Sequence, residues 1–151
     1  MNAVQCFMKK EYICYCGLYC GNCAVKAKVE PAATALYDEM RKAGFEDVVG
    51  NIPGGNEFWT FLKDMAENGA CTSCKKGGGN HGCEIRICAE ERGIEMCALC
   101  ADYPCRLFDE FFVRYPILVS DNDILRKDGI DAWAEMQNER RSKGFVYQNI
   151  P

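Results

Sequence analysis

The chain has 151 residues, a formal net charge of −4, 48% hydrophobic residues and 11% aromatic residues. This length and apolar content suit a single domain over 1–151 with a buried core. The acidic balance argues against a dedicated nucleic-acid binder, which carries a basic field, and no stretch is apolar enough to cross a membrane.

The opening MNAVQCFMKKEY holds no apolar run of the length of a signal-peptide core, so an intracellular, cytoplasmic chain is expected. The first cysteine block, 14–23, reads CYCGLYCGNC, with Cys16, Cys20 and Cys23 in a C-x3-C-x2-C spacing. Gly17 and Gly21 relieve the backbone where it must bend between them. Pro31 can open a helix, because a first-turn residue needs no N–H. Leu36, Tyr37 and Met40 then share a face, and Gly44 marks the stop. The loop GNIPGGN follows. Asn56 is a candidate cap for a second helix, in which Phe58, Phe61, Leu62 and Met65 recur at i, i+3, i+4 and i+7. Gly69 ends it.

The second cysteine block, 71–105, opens with CTSCKKG, in which Cys71, Cys74 and the following glycine make a knuckle. Cys83 stands before a short helix over 84–92 and Cys88 inside it. CALCADYPC supplies a further knuckle, Cys97 and Cys100. Cys105, after Pro104, is expected in the first turn of a helix with Leu107, Phe108 and Phe111, where free N–H groups favour a thiolate. YPILV from Tyr115 reads as a strand or an extended connector. Helices over 121–127 and 130–143 close the chain, the last with Ile130, Trp133, Ala134 and Gln137 on one face and Gly144 as its stop. The fold class expected is mainly α: a small single domain of short helices with irregular cysteine-rich, metal-binding loops.

Twelve cysteines in such a chain call for an explanation. Disulfides are a poor one: the cysteines fall in tight pairs, and the helices already carry enough apolar surface for a core. Paired thiols two residues apart instead present both sulfurs to one metal ion, with turn N–H groups aimed back at them. The candidate ligands are Cys16, Cys20, Cys23, Cys71, Cys74, Cys83, Cys88, Cys97, Cys100 and Cys105. Cys6 and Cys14 are set apart as small buried side chains. Zinc, as two ions, is the expected cofactor, and an iron–sulfur cluster the alternative. Each four-cysteine zinc site would carry a charge of about −2, which Lys75, Lys76 and backbone N–H groups would offset. Two such sites need eight thiolates, so two are left over; a site with three protein ligands and an open position would be reactive. One arrangement brings Cys71, Cys74, Cys97 and Cys100 together as facing knuckles, and Cys83, Cys88 and Cys105 together with part of the first block. His81, the sole histidine, reads as an exposed loop residue, and Glu139, Arg140 and Arg141 as a solvated helix face. Phosphate contact by Arg140, Arg141 and Lys143 is the sharper alternative.

The motifs CGLYCGNC, CTSC, CEIRICAEERG and CALCADYPC, with the tail GIDAWAEMQNERRSKGFVYQNI, resemble an uncharacterised cysteine-rich family of bacteria and archaea, domain of unknown function 3795. The resemblance covers nearly the whole chain. It implies a zinc-binding protein whose ligands are the same ten cysteines, with Cys6 and Cys14 as additions, and it implies no reaction. The C-x3-C-x2-C spacing also matches radical SAM enzymes, but the repeated strands of their barrel are absent. CALCADYPC departs from ferredoxin spacing, and its proline precedes the last cysteine rather than following it. The expected role is a zinc-stabilised binding or regulatory module, with a protein as the conceivable partner, no membrane and no nucleic acid. The alternative is a redox or sulfur-handling enzyme working through a cluster or a reactive thiolate.

Overall fold

The computed structural model describes residues 10–147. Cys6 lies outside them. The chain divides into two compact units: Cys23–Cys71 forms one, and the segments before and after it form the other. Helices and short 3-10 turns account for the regular structure. Among the described residues the sole β pairing is an isolated antiparallel bridge between Ile13 and Tyr19. The mainly α expectation therefore holds.

In the Cys23–Cys71 unit, a π-helical turn, Val25–Val29, runs directly into α1, Glu30–Lys42, with Pro31 in its first turn. Proline cannot donate to the carbonyl one turn back. The wider π turn, in which Glu30 N–H reaches Val25 O, sits where the α ladder is interrupted. The helix thus starts before Pro31, and Gly44 follows its end as expected. The second helix, α2, spans Gly55–Asn68 and stops at Gly69. Its N-cap is Gly54, in a left-handed conformation, and Asn56 lies inside the helix rather than capping it.

The core of this unit is Ala33, Tyr37, Val49, Trp59 and Leu62, flanked by Met40, Phe45, Met65 and Ala66. Trp59 is the pivot, with its ring 4.9 Å from Tyr37 and 6.0 Å from Phe45. That packing turns α2 away from the expected stripe. Phe58 and Phe61 are 44% and 61% exposed, and Leu36 on α1 is 47% exposed. The ends of the unit are tied by Glu30, whose Oε1 accepts from Lys26 Nζ at 2.7 Å, Ala70 N at 2.9 Å and Cys71 N at 3.3 Å.

The other unit holds α3, Glu84–Glu91, α4, Asp109–Arg114, and α5, Ile117–Ser142. Pro104 does not open a helix. Cys105 is extended and precedes a 3-10 turn, Arg106–Phe108, that leads into α4. Nor is YPILV a strand: Pro116 caps α5 and Ile117 begins it, so the apolar run supplies helical side chains such as the fully buried Leu118. The two expected closing helices are one element broken at Gly129, whose φ of 86° no other residue type adopts readily. Beyond it, Trp133 and Gln137 are fully buried, and Gly144 follows the last turn.

Two apolar clusters fill this unit. One packs Ile13, Tyr19, Met96, Ala98, Leu125 and Trp133, with the Tyr19 and Trp133 rings edge to face at 6.1 Å. The other centres on Cys16, Ile85 and Phe108 and gathers four further cysteines around it, Cys14, Cys83, Cys97 and Cys105, with Tyr103 and Phe112. The unit also holds a buried polar chain. Asn22 Nδ2 donates to Gln137 Oε1 at 2.7 Å, and Gln137 Nε2 donates to Asp121 Oδ2 at 2.9 Å. The same carboxylate oxygen accepts from Arg140 Nη1 at 2.6 Å. Arg140 is therefore the partner of a fully buried aspartate rather than part of a solvated face. Lys143 pairs instead with the exposed Glu139.

Removing one partner of a buried ion pair leaves the other uncompensated, at a cost of about 3–5 kcal/mol. Asp121→Ala is accordingly expected to lower stability by about that amount in urea denaturation. Glu139→Gln, which removes only a solvent-screened pair, should leave the midpoint nearly unchanged. Equal effects of the two substitutions would contradict the assignment.

Candidate functional site

The cysteine loop 14–20 is built by backbone bonds and closed by a side chain from α5. Cys14 N–H donates to Leu18 O at 2.8 Å, and Gly17 N–H to Cys14 O at 3.1 Å. Gly17 has φ +94°, and a Cβ there would stand 1.9 Å from Asn122 Oδ1. Any side chain would be strained and would displace Asn122. Asn122 Nδ2 in turn donates to Cys16 O at 3.1 Å and to Tyr103 Oη at 2.9 Å. The Tyr147 hydroxyl accepts from Tyr19 N at 2.9 Å. The loop is thus pinned at Cys16, Tyr19 and Asn22 by residues more than a hundred positions away.

The structure sorts the candidate cysteines differently from their order in the chain. Cys14, set apart on sequence grounds, is at the centre of one group. Its Sγ is 3.3 Å from Cys20 Sγ, and it exchanges hydrogen bonds with Cys16 and Cys74 as well. Cys14, Cys16, Cys74 and Cys83 line an open cleft of about 370 Å³, together with Tyr15, Arg86, Arg114 and Tyr115. Cys74 begins a 3-10 turn, Cys74–Lys76, closed by Gly77, so the CTSCKKG knuckle takes the expected shape. Cys83 caps α3.

The second group is Cys88, Cys97, Cys100 and Cys105. They line one cavity of about 20 Å³ whose remaining walls include Ile85, Arg92, Tyr103 and Phe108. Cys97 and Cys100 sit at either end of a 3-10 turn, with Cys100 N–H bonded to Cys97 O at 2.9 Å. Cys97 N–H donates to Tyr15 O at 2.7 Å, which couples this turn to the first loop. Cys23 and Cys71 belong to the Cys23–Cys71 unit, at its two boundaries. Facing knuckles of Cys71, Cys74, Cys97 and Cys100 are not what the fold builds: Cys74 stands with Cys14, and Cys97 and Cys100 stand with Cys88 and Cys105. His81 is exposed in its loop.

The electrostatics of the groups differ. Cys14 is held strongly protonated, chiefly by its hydrogen-bonding contacts with the sulfurs of Cys16, Cys20 and Cys74, and burial adds to this. Cys74 is lowered to about 6, first by the Cys14 hydrogen bond and then, against burial, by the Tyr15 backbone N–H and the charges of Arg86 and Lys75. In the second group burial pushes Cys97 up to about 12, and the sulfurs of Cys16, Cys88, Cys105 and Cys100 act in the same direction. Arg92 bonds Asp102 at 2.7 Å and also reaches Cys88 and Cys100. Lys75 lies over the Tyr15 ring at 5.2 Å, and Lys76 pairs with Glu11 at 3.9 Å. Arg86 and Arg92 were thus the cations missed in the sequence. Arg86 lies on α3 and Arg92 is its C-cap; Arg92 follows Cys88 by four, the spacing that brings two side chains onto one face.

Among the described residues no group of three or more His, Cys, Asp or Glu side chains is arranged to hold a metal ion. The donor sets nevertheless differ in how well they suit one. A tetrahedral zinc–thiolate site has Zn–S bonds of about 2.3 Å and hence sulfurs about 3.8 Å apart. Cys14 and Cys20 are closer than that, at 3.3 Å, with a proton between them. The cavity group offers four soft donors around a space of about 20 Å³, enough for a single water-sized body.

In metal-free protein, the thiolate ultraviolet band should rise in a step as pH increases through about 6, the value to which Cys74 is lowered. Cys74→Ser should remove that step. A titration with no thiolate forming below the ordinary thiol range would refute the assignment.

No helix among the described residues is long and apolar enough to cross a membrane. No curated protein and no solved structure matches the chain. A family model described as Protein of unknown function (DUF3795) matches residues 12–110. The match runs from the first cysteine loop through Cys105 and ends before the tail that the motif resemblance had included. With well over half of its length and all the cysteines of both groups inside the match, the chain belongs to the DUF3795 family of proteins of unknown function.

Proposed function

We propose that this protein is a zinc-stabilised module whose metal ligands are Cys88, Cys97, Cys100 and Cys105. The observation that supports this reading is the cavity of about 20 Å³ that these four side chains line. It has room for one ion and not for a multi-iron cluster unless its walls move. The four thiols come from three separate pieces of backbone: α3, the Cys97–Leu99 turn and the extended segment before Arg106. A shared ion would tie these pieces together in a stretch that is mostly loop.

The ligand positions are not preformed, and binding would draw the sulfurs inward as their protons leave. Burial and mutual repulsion hold the Cys97 proton in place, and zinc supplies the positive charge against which four neighbouring thiols can ionise. Arg92 beside Cys88 and Cys100 would offset the remaining negative charge. Ile85 and Phe108 supply apolar wall to the same space. Zinc binding would then be part of the folding energy, as in small zinc modules.

The test is elemental analysis and an absorption spectrum on protein purified without oxygen, followed by melting with and without a strong chelator. One zinc per chain and a colourless protein are expected. Chelation should lower stability by at least ~3 kcal/mol, or roughly 6–12 °C in Tm for a chain of this size. Cys88→Ser and Cys100→Ser should lose the zinc, and Cys23→Ser and Cys71→Ser should keep it. A brown protein containing iron and sulfide, or melting indifferent to the chelator, would sink the proposal.

A further inference from the structure

The cysteine group around Cys14 has a different shape and shares no residue with the proposed zinc ligands. Cys14, Cys16, Cys74 and Cys83 face an open cleft of about 370 Å³. Cys14 stands between two other sulfurs: its Sγ lies 3.3 Å from Cys20 Sγ, and it shares the cleft wall with Cys74, close enough for its thiol to favour the Cys74 thiolate. The surroundings of Cys74 suit a thiolate. It receives the Cys14 thiol and the Tyr15 backbone N–H, with Arg86 and Lys75 nearby. Arg86 is occupied by Glu90 Oε1 at 3.0 Å and Gly78 O at 3.0 Å. Arg114, also lining the cleft, is stacked on Tyr115 at 5.5 Å. It takes no part in the ion pairs of the described residues.

We infer that this cleft is a thiol–disulfide exchange site, in which Cys74 receives a low-molecular-weight disulfide bearing carboxylates and the new disulfide moves through Cys14 to Cys20. The exposed Arg114 is the cation that would favour an anionic substrate, and the open cleft admits one. The inference does not depend on the zinc reading.

The chemistry follows from thiolate attack through a mixed disulfide. The Cys74 thiolate attacks one sulfur of RS–SR, forming Cys74–S–S–R and releasing RS⁻. Cys14 gives its proton to that RS⁻ and attacks Cys74 Sγ, which releases the second RS⁻ and leaves a Cys14–Cys74 disulfide. Cys20 gives its proton to the second RS⁻ and attacks Cys14 Sγ, which frees Cys74 as the thiolate it was at the start. Two thiols of the chain are oxidised, RS–SR is reduced to two RSH, and the two protons lost by Cys14 and Cys20 are those gained by the products. The position of Cys14 between the other two sulfurs gives this order. The loop bonds that pin Cys16 and Tyr19 hold Cys14 and Cys20 in register.

The experiment mixes the full-length, reduced, metal-loaded protein with oxidised glutathione in the absence of oxygen, then blocks free thiols and maps disulfides by tandem mass spectrometry. Metal content is measured in parallel. The expected product is one disulfide per chain joining Cys14 and Cys20 inside the tryptic peptide Glu11–Lys26, with metal content unchanged. Cys74→Ser should slow its formation by at least about tenfold. Cys20→Ser should instead accumulate a Cys14–Cys74 link between that peptide and Asp64–Lys75, a positive signal that a misfolded variant would not give. Arg114→Gln should slow the reaction with oxidised glutathione and not with the neutral hydroxyethyl disulfide. A first disulfide elsewhere, no disulfide at all, or an unchanged rate in Cys74→Ser would overturn the inference. Absence of metal with the Cys14–Cys20 bond still formed would overturn only the zinc proposal.

Discussion

The buried chain of Asn22, Gln137, Asp121 and Arg140 is the constraint on which the cysteine-rich unit rests. A carboxylate with no exposure to solvent must be met by donors, because an unpaired buried charge costs more than packing can recover. Asp121 is met by Gln137 from the same helix one side of the Gly129 break and by Arg140 one turn further. Gln137 then has its carbonyl oxygen left for Asn22, at the end of the first cysteine loop. Meeting the Oδ2 oxygen of one carboxylate thereby joins the two sides of the break in α5 to a loop far away in sequence. Asn122 and Tyr147 extend the same logic to Cys16 and Tyr19.

With the loop fixed, the sorting of the thiols follows from geometry. Cys97 is bonded through its N–H to the Tyr15 carbonyl, so the second block is laid against the first with the loop between two groups of sulfurs. On one side α3 and the turn at Cys97 close around a small apolar space. On the other, the turn at Cys74 and the cap of α3 leave a cleft. The first of these groups is half-buried and mutually repelling, around an ion-sized space. The open group is hydrogen-bonded, unequal in proton affinity and reachable by solutes. These are opposite environments made from one residue type, and they suit opposite uses: a thiolate kept by a metal, and a thiolate kept available.

Much of the architecture was legible from local pattern. The stop at Gly69, the short helix after Cys83, the knuckle shape of CTSCKKG and the apolar face of Trp133 and Gln137 all follow from short-range spacing. The errors have specific causes. Asn56 was taken for a cap because its side chain can serve as one, yet Gly54 makes the turn one residue earlier in the chain than Gly55 begins the helix. Phe58 and Phe61 looked like core because periodicity cannot choose between neighbouring stripes; the contact of Trp59 with Tyr37 chose. YPILV read as extended because its composition favours strands, but a run of apolar residues after a proline serves a buried helix equally well.

By itself the sequence determined that the fold is helical, that the cysteines gather in two blocks, and which family the chain belongs to, since each of these is a matter of residue type and short spacing. The tertiary structure decided which sulfurs meet. Cys14 looked dispensable because nothing in CYC distinguishes a ligand from a small buried side chain, and it proved central because Cys20 and Cys74 are folded onto it. Cys97 and Cys100 left their expected partners because Tyr15 and α3 carry them to Cys88 and Cys105. Spacing governs what one turn of backbone can present; only long-range bonds, here a buried aspartate and two asparagines, govern which turns are brought face to face.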